Sequence, residues 1–349
     1  MGGAGGFVLE RGATLAAAEL QYAIFGKANP AGDNVVLVCH ALSGSARVDQ
    51  WWPVLLHGLF NLERDCVICF NILGSCYGST GPSSIDPATG KPYGASFPLV
   101  TVRDIVRAQK DALDQMGYRH FRAIIGVSLG GMQALQWAVD YPESLDGCIA
   151  IGATPLSAMG LALNHIQRGM LKLGGAEKPQ EALALARQLA MCSYKSAALF
   201  ARRHGRRPNR TGPSPFASDA GRFDVAGYLD HQGEIFLDRF DPDTYRVITQ
   251  IMDLFDPARD HGSPEAAWSR VRAKLLLLGI TSDWLFPSDE VRALAGEIRS
   301  FGVETEYHEL TSEHGHDSFL AEEEKLLPVL RHFLGKLPSR RESAVAVAV

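Results

Sequence analysis

Residues 123–143 read AIIGVSLGGMQALQWAVDYPE: a β-branched apolar run, a serine between glycines, and then residues with helical spacing. Gly126-Val127-Ser128-Leu129-Gly130 fits G-x-S-x-G in the context that the pattern requires, a strand before it and a helix after it. Such a turn can present a hydroxyl above a sheet edge only if the residues beside it lack bulk, which is what the glycines provide. A plain strand-to-helix turn or a phosphate cradle would also use glycines, so the rest of the chain has to choose among the three.

On either side, over residues 20–150, short Val/Ile/Leu runs alternate with amphipathic stretches. NVVLVCH, CVICFNI, AIIGVS and GCIAIGA predict strands, and VRDIVRAQKDALDQMG and MQALQWAVDYP predict helices. Continuously apolar strands separated by helices indicate a mostly parallel sheet covered on both faces, the α/β class. From Thr154 to Asp260 the alternation stops. Four segments with helical spacing follow, broken by the Arg/Pro/Gly-rich RRHGRRPNRTGPSPFASDAG, and together they predict a helical lid. KLLLLGI, VRALAGEIRSFG, TEYHEL and EKLLPVLRHFLG then resume the alternation. The expected organisation is a first core part over 1–153, a lid over 154–260, a second core part over 261–337 and a disordered tail over 338–349. RRHGRR reads first as a solvated loop face, with phosphate binding as the alternative.

Composition limits the partners. With 349 residues, 46% hydrophobic and 21% charged, the chain can bury a large core, and a formal net charge of −5 gives no basic footprint for nucleic acid or an anionic membrane. A small-molecule partner is expected. MGGAGG lacks the features of a signal peptide and SAVAVAV is too short to span a bilayer. The six cysteines, at 39, 66, 69, 76, 148 and 192, are scattered through apolar segments, as in a reduced, cytoplasmic protein. Cys66 and Cys69 have C-x-x-C spacing but lie in a strand-like run, where residues three apart face opposite ways. No metal site is expected.

A serine hydroxyl becomes a nucleophile when a histidine takes its proton and a carboxylate orients that histidine. On the fold that uses G-x-S-x-G, the partners follow in the order Ser, Asp or Glu, His, beyond later strands. KLLLLGITSDWLFP places Asp283 just past a strand, and TEYHELTSEHGHDSFL places His316 past the next. His316, directly before DSFL, is preferred to His314 by its loop placement. His40, in LVCHALSG, reads as a structural histidine. The oxyanion hole needs the amide after the nucleophile and one from the loop after an early strand, here Leu129 and Leu42.

With these residues in place, the chain resembles the homoserine O-acetyltransferases of methionine biosynthesis. LVCHALSGS, NILGSCYGSTGPSSIDPATGKPYGASFPLVTVRD, GVSLGGMQALQWAVDYP, ARQLAMCSY, YLDHQGEIFLDRFDPDTY, GITSDWLFP and GHDSFL carry the likeness, from about residue 20 to 335. The resemblance implies an α/β-hydrolase fold and a helical lid through which a homodimer forms. It also implies ping-pong transfer of acetyl from acetyl-CoA, a co-substrate rather than a bound cofactor, to L-homoserine. The implied triad is Ser128, Asp283 and His316, and the implied substrate-binding residues are Arg187, Tyr194 and Asp317. Lys195 stands where arginine is common, and the segment between the nucleophile and ARQLAMCSY is short.

Those binding residues also suit a zwitterion. Arg187 and Tyr194 lie seven apart, about two turns of one helix face. A guanidinium matches an α-carboxylate and Asp317 an α-ammonium. The plainer alternatives are a surface arginine and a helix N-cap. A succinyl-CoA-using relative would carry Arg at Leu285, although Gln136 resembles that group. A serine esterase with the same triad, or a non-catalytic binder on this fold, are the other readings.

Overall fold

The apolar runs of the sequence are strands buried on both faces. A computed structural model describes residues 5–338, so the expected tail lies, from residue 339 on, outside the described residues. Seven strands make the central sheet: β1 (Tyr22–Gly26), β2 (Val35–Cys39), β3 (Cys66–Phe70), β4 (Phe121–Val127), β5 (Leu145–Ile151), β6 (Lys274–Ile280) and β7 (Thr305–Leu310). They are ordered β7-β6-β5-β4-β2-β3-β1, all parallel except β1, which runs antiparallel to β3. That edge strand was not foreseen. Its YAIFG run is partly exposed and carries no long apolar signal.

Strand periodicity divides the continuous apolar runs between two cores. In β2, Val35, Leu37 and Cys39 pack on one face and Val36 and Val38 on the other. Cys66 and Cys69 fall into different cores in the same way, and all six cysteines are free. Helices α1 (Val102–Gln115) and α2 (Leu129–Asp140) cover one face. Thr101 starts α1 through a reciprocal capping box with Asp104, satisfying amides that the helix itself leaves free.

Between β5 and β6 come α3 (Ala158–Gly174), α4 (Pro179–Tyr194), α5 (Ala197–Arg203), α6 (Asp224–Leu237) and α7 (Pro242–Asp253). α4 packs against α3 and α6, and α7 against α3. The sequence reading did not separate α5 from the loop, although the Ser196 hydroxyl caps it by accepting from the Leu199 amide at 3.0 Å. α8 (Ser288–Ser300) joins the face covered by α1 and α2, while α9 (Glu323–Gly335) covers the other. Among the described residues no helix is long and apolar enough to cross a membrane.

The joint between β4 and α2 explains the glycines of the opening stretch. Ser128 has φ 56° and ψ −124°, and among the described residues no other non-glycine has positive φ. Its amide donates to the Ile151 carbonyl at 2.9 Å, which holds the strained turn against the end of β5. A Cβ on Gly130 would run into the Cys39 carbonyl oxygen, and one on Gly126 into the Gly130 carbonyl. α2 therefore starts in backbone contact with the end of β2.

Gly130→Ala should destabilise the fold by roughly 2 kcal/mol or more, because the opposing atoms are backbone and cannot step aside. The readout is the urea midpoint. Gly296→Ala on α8, where a Cβ meets nothing, is the control and should be neutral or stabilising by up to about 1 kcal/mol. Equal midpoints for Gly130→Ala and wild type would contradict the close approach.

Candidate active site

Four strand ends deliver the chemistry. Ser128 follows β4, the Leu42 loop follows β2, Asp283 follows β6 and His316 follows β7, all at the carboxyl edge of the sheet. β2 and β4 are neighbours from which the chain departs in different directions, and such a switch point opens a crevice. Ser128, Leu42, Tyr194, Leu285, His316 and Asp317 all line one cavity of about 210 Å³ there.

Asp283 Oδ2 lies 2.6 Å from His316 Nδ1. Its other oxygen accepts the amides of Leu285 at 2.9 Å and Phe286 at 3.0 Å, so the carboxylate cannot swing away. With Nδ1–H donated to Asp283, Nε2 is left as the base. His314, by contrast, opens the turn Gly315–Asp317 that carries His316, and the ion pair of Asp283 is with His316. Room beneath the pair comes from Gly152, at φ 53°, where a Cβ would sit 3.3 Å from the imidazole. The ring of His316 stacks on Phe286, centroids 5.3 Å apart, and faces Tyr194 at 5.9 Å. Burial works against the imidazolium, but the Asp283 carboxylate outweighs it through charge and hydrogen bond and raises the His316 pKa. Asp317 adds to that rise and Lys195 opposes it.

Leu129 is the first residue of α2, where a backbone amide has no partner within its helix, and the α2 N-terminus favours a developing anion. The Leu42 loop is tethered by His40. The Ile72 amide donates to His40 Nε2 at 3.3 Å, so Nδ1–H is the donor to the Ala41 carbonyl at 2.7 Å. Fully buried, His40 has its pKa pushed down to about 4 and stays neutral. It is a structural histidine that holds the loop carrying Leu42.

Arg187 and Tyr194 share a face of α4, with the guanidinium 5.3 Å from the centroid of the Tyr194 ring and 4.6 Å from that of Phe236. Arg187 is 9% exposed, and its Nε and Nη1 are buried without a hydrogen-bond partner among the described residues. It stands behind Tyr194 rather than on the cavity wall. Asp317 does line the cavity, but its Oδ2 is held by Lys195 Nζ at 2.6 Å. The sequence reading noted Lys195 only as a departure and did not foresee this pair, which joins α4's end to the histidine turn over 122 residues. Trp51 and Arg239 also line the cavity without any sequence signal that pointed to them. Gln136 lies elsewhere, its amide donating to Asp140 at 2.9 Å, and does not face the cavity.

Because His316 must be neutral to take a proton, acylation should rise with pH through a midpoint above the ordinary 6.5. Lys195→Met should move that midpoint up and Asp317→Asn should move it down, since each removes the charge that acts in the opposite sense. The measurement is the pre-steady-state burst of p-nitrophenol from p-nitrophenyl acetate, with no amino acid present. A wild-type midpoint at or below 6.5 would contradict the electrostatic reading.

A family model described as alpha/beta hydrolase fold matches residues 34–323. The homoserine O-acetyltransferase of Symbiobacterium thermophilum is 42% identical over 358 residues, covering 96% of this chain and 94% of that protein. Among solved structures, a homoserine O-acetyltransferase from Bacillus anthracis superimposes with a TM-score of 0.86 at 24% identity, covering 95% of this chain and 96% of that one. An esterase, E22, superimposes with 0.85 at 23% identity, covering 94% and 97%. The two superpositions agree on the fold and do not separate transfer from hydrolysis. Sequence identity over almost the full length of both chains does go further: the chain belongs to the homoserine O-acetyltransferase family of α/β-hydrolase-fold proteins.

Proposed function

We propose that this protein transfers acetyl from acetyl-CoA to the side-chain hydroxyl of L-homoserine, a step toward methionine, through an acetyl ester on Ser128. His316 takes the Ser128 proton as the oxygen attacks the thioester carbonyl. The amides of Leu42 and Leu129 receive the oxyanion, and the coenzyme thiol leaves with the proton from His316. Homoserine then enters, His316 takes its hydroxyl proton, and the new alkoxide accepts the acetyl group while the proton returns to Ser128.

The observation that carries the reading is Arg187, a buried guanidinium with two unpartnered nitrogens one aromatic ring away from His316. Leaving buried donors unpaired costs about 1–3 kcal/mol each, a cost that a substrate carboxylate removes. Asp317 Oδ2 is taken by Lys195, and Oδ1 remains for the α-ammonium. Held at both charges, the amino acid presents its hydroxyl to the acyl-enzyme. The helices over 154–260 act as a lid that keeps water from the same ester. Leu285, buried in the cavity wall, supports acetyl over succinyl because it offers no cation to a second carboxylate.

The lid also supports a homodimer. On α3, Met159, Ala162, Ile166, Gly169 and Leu173 repeat at the 3-4-3-4 spacing of a helix–helix seam. Met159, Ile166 and Leu173 are exposed, Leu173 by 89%, and a Cβ at Gly169 would meet nothing. An apolar seam of this kind on the surface suits a second copy.

The test of the reaction is a panel of acetyl-CoA and succinyl-CoA against L-homoserine, L-serine and water. Acetyl-CoA alone should acetylate Ser128, and Ser128→Ala should abolish this. Arg187→Ala or Asp317→Ala should lose at least about tenfold in kcat/KM for homoserine while single-turnover acetylation stays within a fewfold. Equal rates with water and homoserine would make the protein an esterase, and equal use of both donors would remove Leu285 as the determinant. For the seam, Ile166→Lys with Leu173→Lys should halve the mass found by sedimentation equilibrium, and an unchanged mass would show that copies meet elsewhere.

A further inference from the structure

Among the described residues, Asp317 is the one carboxylate that lines the catalytic cavity, and a cation of this chain already holds it. Lys195 ends α4 in extended backbone, φ −119° and ψ 146°, and from there its Nζ reaches Asp317 Oδ2. The main chain at that point is fixed. The Trp284 indole donates to the Lys195 carbonyl at 3.2 Å, and the Ser196 hydroxyl donates to the Glu313 carbonyl. A Cβ on Gly315 would sit 2.7 Å from the Tyr194 carbonyl oxygen and 2.9 Å from the Lys195 Cα, so the end of α4 rests directly on the turn that carries His316.

The side chain has more freedom. It is a compact ammonium on a flexible four-carbon stem, and beside it lies a second cavity, of about 780 Å³, which Lys195 lines and Asp317 does not. Lys195 therefore has room to leave the carboxylate with no movement of the main chain, and a cavity of that size holds the water that a released ammonium needs. The acceptor chemistry above puts an α-ammonium on the same carboxylate. Oδ1 is open to it, but two ammonium groups on one carboxylate repel each other at close range, and no second acidic side chain among the described residues lines the catalytic cavity to relieve this. Of the two cations, Lys195 is the one with another place to go.

We propose that Lys195 is an internal stand-in for the acceptor's ammonium: it holds Asp317 until the amino acid arrives, and the arriving ammonium displaces it into the larger cavity. The proposal rests on the reading of the acceptor as an amino acid. Lys195 touches no reacting atom and is a positioning residue that acts through Asp317. Water and neutral alcohols bring no cation to displace it, so for them the pair stays closed. An amino acid opens the pair, and it binds more weakly than it would to a free carboxylate by the free energy of the contact it breaks.

That penalty gives the experiment its sign. At the alkaline plateau, where His316 is neutral in every variant, Lys195→Met should lower KM for L-homoserine about threefold or more, a change larger than any in kcat, because the carboxylate no longer has to be vacated. Lys195→Arg, whose planar fork takes both carboxylate oxygens, should raise KM by about as much. KM for 4-hydroxybutyrate, which is homoserine without its ammonium, should fall in neither. The displacement itself is read in the wild-type protein by reductive methylation with formaldehyde and cyanoborohydride, followed by peptide mass spectrometry and normalised to the exposed Lys178. Saturating L-homoserine without an acyl donor should speed methylation of Lys195 about threefold or more, and 4-hydroxybutyrate should not. A higher KM for homoserine in Lys195→Met would show that the lysine only steadies Asp317, and a methylation rate that homoserine leaves unchanged or slows would show that it stays in place. Either result overturns the exchange. If homoserine exposes Lys195 yet receives no acetyl, the exchange stands and the transfer reading falls.

Discussion

The left-handed backbone of Ser128 is the constraint on which the rest of the site depends. A non-glycine residue in that region is strained, and the strain persists only where neighbours over-determine it. Here the Ser128 amide is tied to β5 and α2 is pressed against the end of β2, a contact possible because Gly126 and Gly130 have no side chains. The same geometry that lifts the hydroxyl also aligns the start of α2 with the Leu42 loop. The Ser128 hydroxyl and the first amide of α2 are thus positioned by one packing event rather than by separate devices.

Around that serine the charges form a connected set. Asp283 is fixed by two amides and in turn fixes His316; Asp317 and Lys195 pull the pKa of that histidine in opposite directions. The Lys195–Asp317 pair is part-buried, so its worth lies less in stability than in keeping a carboxylate aimed beside the imidazole. Arg187 stands apart from this set, packed against two aromatic rings and with no carboxylate in ion-pair distance among the described residues. Stabilised by ring faces, it keeps Nε and Nη1 without a hydrogen-bond partner among the described residues.

Near-equal superposition on an acetyltransferase and on an esterase shows that the scaffold does not choose the acceptor. The elbow, sheet and triad are common requirements of acyl-serine chemistry. Selection of an amino acid over water has to come from groups outside the triad; in the function proposed above those are a buried arginine, a carboxylate next to the base and the helices above them.

Much of this was legible in the sequence because it rests on local rules. Continuous apolar runs marked the parallel strands, G-x-S-x-G between a strand and a helix marked the elbow, and chain order marked Asp283 and His316, because successive parallel strands must deliver their ends to the same edge. Helical spacing put Arg187 and Tyr194 on one face. The antiparallel edge strand was missed because a half-exposed strand has no long apolar run, and α5 because seven residues are too few to show a period. The Lys195–Asp317 pair, the tether from His40 to the Leu42 loop and the second cavity could not be read in advance. Each joins residues from different elements, and no local pattern specifies which side chains meet once helices fold over a sheet. That choice is made by packing alone.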